Sequence, residues 1–109
     1  MVGHTGDFAA AMKAAETVDA CLKQLMETLT KHQFSAIVIA DHGNSDYMIN
    51  DNGTPNTAHT TNLVPCFLLG KQAENIELKN GKLADVAPTI LQLMNITQPE
   101  EMTGISLIK

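Results

Sequence analysis

The stretch that decides the fold is Ser35-Ala-Ile-Val-Ile-Ala40, followed at once by Asp41-His-Gly-Asn-Ser-Asp46. Its first half is a short apolar run rich in β-branched residues, typical of a fully buried strand in a parallel sheet. Its second half ends that run with polar side chains. Because α/β sheets present ligand-binding groups at the carboxyl ends of their strands, this junction also predicts a functional site.

Two helices and a second strand surround this stretch. Apolar residues recur at three- and four-residue steps over residues 7–31, which predicts a long helix capped by Asp7 or Thr5. A second buried strand is expected at 64–69 and a second helix at 85–94. The order predicts an α/β fold. Since two clear strands are few, we expect part of a domain, with an incomplete, mostly parallel sheet flanked by helices.

The remaining segments connect or cover these elements. Residues 43–63 are dense in turn-forming residues, and a connection that long inside a compact domain is more often functional than decorative. A short edge strand is possible at 76–78, with a turn at 80–81. The tail, residues 100–109, offers four apolar side chains for docking: Met102, Ile105, Leu107 and Ile108.

Composition excludes several classes of function. The 109 residues include seven lysines, no arginine and twelve acidic residues, for a net charge of −5. An acidic chain without arginine is a poor nucleic-acid binder, and no apolar run is long enough to span a membrane. Cys21 and Cys66 are expected to be buried, reduced thiols, which together with the absence of a signal-peptide pattern indicates a cytoplasmic protein. Bidentate phosphate binding usually uses arginine, so anion chemistry here would need metal ions or residues from outside this chain.

Three of the four histidines suggest a metal site. His4, His42 and His59 lie in loops beside small or polar residues, and Asp41 precedes His42 at the strand end. Imidazole and carboxylate together suit Mn²⁺-class or zinc ions. Glycines next to His4 and His42 allow close backbone approach. Neighbouring side chains at a strand end should diverge, which fits two metals a few ångströms apart. By contrast, His32 is expected only to end the first helix.

The chain offers no evident nucleophile. Ser45 follows His42 by three residues, but hydrogen bonding within a turn is its expected role. The sequence contains neither a nucleophile elbow nor a phosphate-binding loop. The residues alone therefore predict metal ligands without a catalytic side chain.

Three ordered motifs resemble the C-terminal part of the cofactor-independent (2,3-bisphosphoglycerate-independent) phosphoglycerate mutase family, within the alkaline phosphatase superfamily. They are Met1-Val-Gly-His-Thr-Gly, Ala40-Asp-His-Gly-Asn and Thr57-Ala-His-Thr-Thr-Asn-Leu-Val-Pro65. The segment from Gly81 to Leu91 and Met102-Thr-Gly-Ile-Ser-Leu107 also match, so the resemblance covers residues 1–109. It implies the C-terminal part of a three-layer, alkaline-phosphatase-like domain.

The resemblance also implies an activity and a ligand set. The family interconverts 3-phosphoglycerate and 2-phosphoglycerate through a phosphoserine, with two metal ions, usually Mn²⁺, while Mg²⁺, Co²⁺ or Zn²⁺ are possible. By motif match, His4 and His59 would bind one metal, and Asp41 with His42 the other. Such metals lower the pKa of the serine hydroxyl and neutralise phosphoryl charge.

The departures from the family predict a fragment. An aspartate ligand precedes the first motif in the family, where this chain has Met1. The nucleophilic serine and the arginine-bearing substrate domain have no counterpart here. We therefore expect weak or absent metal binding, no mutase activity alone, and possible self-association through uncovered faces. Alternatives are a phosphopentomutase or phosphodiesterase of the same superfamily, a non-catalytic metal-binding module, or a structural α/β domain.

Overall fold

The computed structural model describes residues 2–109. Its longest helix is α1, which has 24 residues (Phe8–Lys31). Asp7 caps it, because its Oδ1 accepts a backbone N–H in the first turn at 2.9 Å. The helix ends where Gln33 takes a φ of 59° and the N–H of Phe34 donates to the carbonyl of Leu29 at 2.9 Å. The predicted helix at 7–31 and its Asp7 cap are therefore confirmed.

The apolar stripe of α1 remains largely open to solvent. Phe8, Met12, Val18 and Leu25 are each more than half exposed, and α1 has no fully buried residue. The three- and four-residue periodicity correctly indicated a helix. It did not indicate which surface would cover the stripe, and residues 2–109 do not bury it.

Two strands form a small antiparallel sheet. Strand β1 (Ala36–Ile39) pairs with β2 (Cys66–Leu69), with Ala36 opposite Leu69. The predicted parallel arrangement is wrong for this pair. A parallel neighbour needs a crossover connection, usually a helix, whereas residues 40–65 contain no helix and fold back as loops.

Neither strand is fully buried, contrary to the prediction. Ile39 is 38% exposed and Phe67 is 54% exposed. Both cysteines are free, Cys66 half-buried in β2 but Cys21 exposed on α1, so only part of the prediction for the thiols is right. The small sheet is the incomplete one that the two apolar runs predicted.

The C-terminal helix follows a short 3₁₀ turn. Leu83–Asp85 form that turn and lead directly into α2 (Val86–Leu93), close to the predicted 85–94. Pro88 lies buried in the first turn, where a missing N–H costs little. Asn95, with a φ of 56°, ends the helix as expected.

Asp85, Thr89 and Leu107 form the best-packed polar cluster. The Asp85 carboxylate does not cap α2. It accepts the N–H groups of Ile105 at 2.8 Å and Lys82 at 2.9 Å. These bonds, that of Ile105 first, hold the pKa of the Asp85 carboxyl below its ordinary value. The fully buried Thr89 hydroxyl donates to the Asp85 carbonyl at 2.6 Å and accepts the N–H of Leu107 at 2.8 Å.

The tail docks through fewer residues than expected. Leu107 is buried and its carbonyl accepts the N–H of Lys79 at 2.8 Å, but Ile105 is 67% exposed. Instead of a strand at 76–78, Leu78 makes one antiparallel bridge with Ile108. The C-terminal segment is therefore fixed mainly by backbone bonds and by Leu107.

Candidate metal centre

The long loop between the strands brings distant segments together. Residues 50–53 form its tip, with Gly53 at a φ of 80°, and an antiparallel bridge joins Gly43 to Thr60. Because His42 and His59 directly precede these bridged residues, the return of the loop places His59 at the end of β1. The turn-rich segment at 43–63 thus has the positioning role expected of a functional loop.

Three predicted ligands meet at this strand end. The rings of His42 and His59 stack with centroids 3.6 Å apart and an interplanar angle of 21°. The ring of His4 lies 5.1 Å from that of His59. All three residues are exposed, so ions in solution can reach them. His32 lies at the C-cap of α1, where its N–H donates to Thr28, as predicted.

Backbone carbonyls fix the orientation of two of these rings. The Nδ1 of His4 lies 2.8 Å from the carbonyl oxygen of Thr57, and the Nδ1 of His42 lies 3.2 Å from that of Gly43. A carbonyl can only accept, so each Nδ1 carries the proton and, in the neutral ring, Nε2 carries a lone pair. Metal-binding histidines are typically held in this way.

Asp41 and His42 provide the clearest test of whether a metal fits. Asp41 Oδ1 accepts the N–H of His42 at 3.0 Å, while Oδ2 faces His42 Nε2 at 3.5 Å. Two lone-pair atoms in this arrangement repel each other unless a proton or a cation lies between them. Two neighbouring ligands at about 2.1 Å from one ion lie roughly 3.0 Å apart in octahedral geometry and roughly 3.4 Å apart in tetrahedral geometry. The donor chemistry and the spacing therefore fit one divalent ion, and the two side chains do not diverge as expected.

The ligands come as pairs. Within residues 2–109, no three His, Cys, Asp or Glu side chains are arranged to hold one ion. The rings of His4 and His59, with centroids 5.1 Å apart, form one neighbouring pair, and the side chains of Asp41 and His42 form another. Divalent ions of this class take four to six ligands, so two donors per ion would leave further ligands to complete each coordination shell.

Two glycines let the loops approach this closely, as predicted. A Cβ on Gly3, which precedes His4, would lie 1.6 Å from Oδ1 of Asn44. A Cβ on Gly43, which follows His42, would lie 2.1 Å from Oγ1 of Thr60. A side chain at either position would displace Asn44 or Thr60, which belong to the loops that carry the histidines.

Sequence reasoning missed the polar residues that hold the loops together. Asn44 donates to the carbonyl of Ala58 at 3.0 Å, and Asp46 accepts from Thr60 and Asn62. The available signal was the run of polar side chains that directly follows His42 and can form hydrogen bonds. In the sequence this run predicts only turn formation. Ser45, the one hydroxyl considered there, is exposed beside Gly3.

A cavity of about 450 Å³ adjoins the pair Asp41–His42. Lys79 and Lys82 also line it, among mostly apolar residues such as Leu78 and Val86. Asn62 and Thr60 extend the polar part of the lining.

Comparisons with known proteins place the chain in a family. A family model described as the Metalloenzyme superfamily matches residues 1–98. The chain is 55% identical over 108 residues to the 2,3-bisphosphoglycerate-independent phosphoglycerate mutase of Flavobacterium johnsoniae, covering 99% of this chain and 21% of that protein. It is 50% identical to the same enzyme of Francisella philomiragia, covering 22% of it. The chain thus spans about a fifth of the length of the curated relatives that it matches.

A solved structure supports the same relationship. Leishmania mexicana phosphoglycerate mutase at low cobalt concentration superposes with a TM-score of 0.84 and 34% identity, over 99% of this chain and 23% of that one. The fold of residues 2–109 is therefore that of one part of a larger mutase chain. None of the described helices combines the length and apolar character needed to cross a bilayer.

Proposed function

Because this chain belongs to the Metalloenzyme superfamily, whose name implies dependence on metal ions, we propose that it supplies ligands to a two-metal site of a phosphoglycerate mutase. His4 and His59 bind one ion, and Asp41 and His42 bind the other. Mn²⁺ is the proposed metal, with Mg²⁺, Co²⁺ and Zn²⁺ as alternatives. Residues 1–109 form the C-terminal portion of the metal-binding domain.

One observation carries the proposal: the Nε2 of His42 and the Oδ2 of Asp41 face each other at 3.5 Å. The adjacent cavity, with Lys79 and Lys82 in its lining, supports a phosphorylated substrate. Because the relatives are named phosphoglycerate mutases, the proposed substrate is phosphoglycerate, and the proposed reaction interconverts its 2- and 3-phospho forms.

The roles of this chain are binding and orientation. When bound, the metals supply charge neutralisation at the phosphoryl group and activation of a hydroxyl nucleophile. The Thr57 carbonyl orients His4 and the Gly43 carbonyl orients His42, so that in the neutral ring of each the lone pair lies on Nε2. We propose that the 109-residue chain alone lacks mutase activity, acts in the cytoplasm and self-associates through the exposed stripe of α1.

Metal titration tests the ligand assignment. Calorimetry with Mn²⁺ and with Co²⁺ should detect weak binding to the chain, and His42→Ala should reduce the affinity at least tenfold. His32→Ala is the matched control, because His32 lies at the end of α1 and away from the loops. Equal affinity of the His42→Ala variant and the wild type would refute the assignment.

A coupled enolase assay tests the inactivity. The chain with excess Mn²⁺ should give no conversion of 3-phosphoglycerate above the background measured with the His42→Ala variant. Turnover by the wild-type chain that disappears in this variant would show that 109 residues suffice for catalysis. That result would contradict the inactivity while supporting the ligand assignment.

A further inference from the structure

The Asp46 carboxylate joins the two loops that carry His42 and His59. Its Oδ2 accepts the Asn62 side-chain amide at 2.6 Å and the Thr60 hydroxyl at 2.9 Å, and Oδ1 lies 3.2 Å from the same hydroxyl. Asp46 follows His42 by four residues, while Thr60 is the residue after His59. One side chain therefore connects the segment after one candidate ligand to the segment after another.

The backbone around this carboxylate is closely packed. The N–H of Thr60 donates to the carbonyl of Gly43 at 2.8 Å, and Gly43 is buried. A Cβ on Gly43 would lie 2.8 Å from Oδ1 of Asp46. The carboxylate thus lies directly against the bridge that brings the two strand-end loops together, and its position is coupled to the spacing of the histidines.

Asp46 acts as an acceptor. The hydrogen bond from Asn62, with that from Thr60, holds the pKa of the Asp46 carboxyl below its ordinary value. Both of its oxygens accept bonds within the loops. Its contribution to the metal centre is therefore indirect, through the placement of His59.

We infer that Asp46 is a positioning residue that holds the ring of His59 against that of His42 and so fixes the separation of the two ligand pairs. The metal part of this inference rests on the proposed function. The ring contact does not, because it exists between side chains of this chain without any ion. Hydrogen-bond partners of metal ligands typically contribute 10- to 100-fold in metal affinity, and Asp46, which bonds to the residue after His59 and not to His59 itself, should contribute less.

The test is Asp46→Asn in the full chain. The substitution replaces one acceptor oxygen by an NH₂ group that cannot accept from Asn62 or Thr60. The nuclear Overhauser effects between the rings of His42 and His59 should weaken strongly, and the Kd for Co²⁺ should rise roughly 3- to 10-fold, below the range for direct partners of metal ligands. Asp51→Asn is the matched control, since Asp51 lies in the same loop and accepts only a 3.3 Å bond from the Tyr47 hydroxyl.

A reciprocal exchange separates positioning from general destabilisation. In the double variant Asp46→Asn with Asn62→Asp, donor and acceptor change places, so the hydrogen bond between positions 46 and 62 can form again. The ring contact and most of the Co²⁺ affinity should return. If circular dichroism shows that Asp46→Asn alone is unfolded, the double variant tests the positioning role in its place. A folded double variant in which the rings of His42 and His59 are in contact supports the inference.

The outcomes distinguish this inference from the proposed function. Ring contact and Co²⁺ affinity within twofold of wild type in Asp46→Asn would overturn the positioning role, and so would a folded double variant without ring contact. If the wild-type chain binds no Co²⁺ or Mn²⁺, the affinity measurement does not apply, because each candidate pair supplies only two of the ligands that an ion needs. The ring contact in Asp46→Asn then decides the positioning role by itself.

Discussion

Replacing Thr89 by valine removes one hydroxyl from the interior and leaves the shape of the side chain almost unchanged. In the structure that hydroxyl accepts the N–H of Leu107 at 2.8 Å and donates to the carbonyl of Asp85 at 2.6 Å. Thr89 is fully buried and Leu107 is 5% exposed. After Thr89→Val, the N–H of Leu107 is therefore left without a partner and without access to water.

The magnitude follows from that single orphaned donor. A buried polar group without a partner costs about 1–3 kcal/mol, which corresponds to roughly a 5- to 150-fold change in an equilibrium constant. Thr89→Ser keeps the hydroxyl and deletes one methyl group, which costs about 1 kcal/mol. The two variants therefore differ most at the Leu107 amide, where only valine breaks the bond.

The assay is amide hydrogen exchange followed by NMR, combined with urea unfolding. Protection of the Leu107 amide should fall roughly 5- to 150-fold in Thr89→Val and should be largely retained in Thr89→Ser. Thr17→Val is the matched control, because the exposed hydroxyl of Thr17 bonds only to a carbonyl within α1. Unchanged protection of Leu107 in Thr89→Val, or an equal loss in the serine variant, would refute the reasoning.

Three further predictions concern pH, loop packing and association. Asp85 has a lowered pKa in the folded state, so the stability that its carboxylate contributes is present above the ordinary pKa and is lost as the pH falls through the folded value. The unfolding curves of wild type and Asp85→Asn should therefore differ at pH 6 and converge in acid. Gly43→Ala should abolish the contact between the histidine rings, since its Cβ would lie 2.1 Å from Thr60 Oγ1. Gly53→Ala strains the backbone at a φ of 80°, but its Cβ would meet nothing within 4 Å and the residue lies at the loop tip, so the ring contact should remain in the NMR spectrum. The chain should self-associate in sedimentation experiments, and Phe8→Ser should weaken that association; monomeric wild type at high concentration would contradict the role of the α1 stripe.

Local signals made α1, α2 and the two strands predictable. The Asp7 cap, the buried Pro88 and the apolar run at Ala36–Ile39 are each determined within a few residues of sequence. The strand direction was not predictable in this way. It depends on whether residues 40–65 form a crossover or fold back, and their turn residues are compatible with either arrangement.

The same distinction between local signals and long-range arrangement applies to the candidate site. Its donor types could be read from the sequence, because the chemistry of imidazole and carboxylate is a property of His4, Asp41, His42 and His59 themselves. The flanking glycines also correctly indicated close approach of the loops. No local pattern showed Asp46 joining Thr60 to Asn62, since these contacts span 14 and 16 residues.

By itself, then, the sequence determined the helices, the two apolar strands, the donor chemistry of the four candidate ligands and the resemblance to phosphoglycerate mutases. Only the tertiary structure decided that the strands run antiparallel, that the rings of His42 and His59 stack at 3.6 Å, and that the apolar stripe of α1 stays exposed. The physical reason is range. Helix caps, strand propensity and ligand chemistry act between neighbours in sequence, whereas pairing, ring separation and burial depend on which distant surfaces meet.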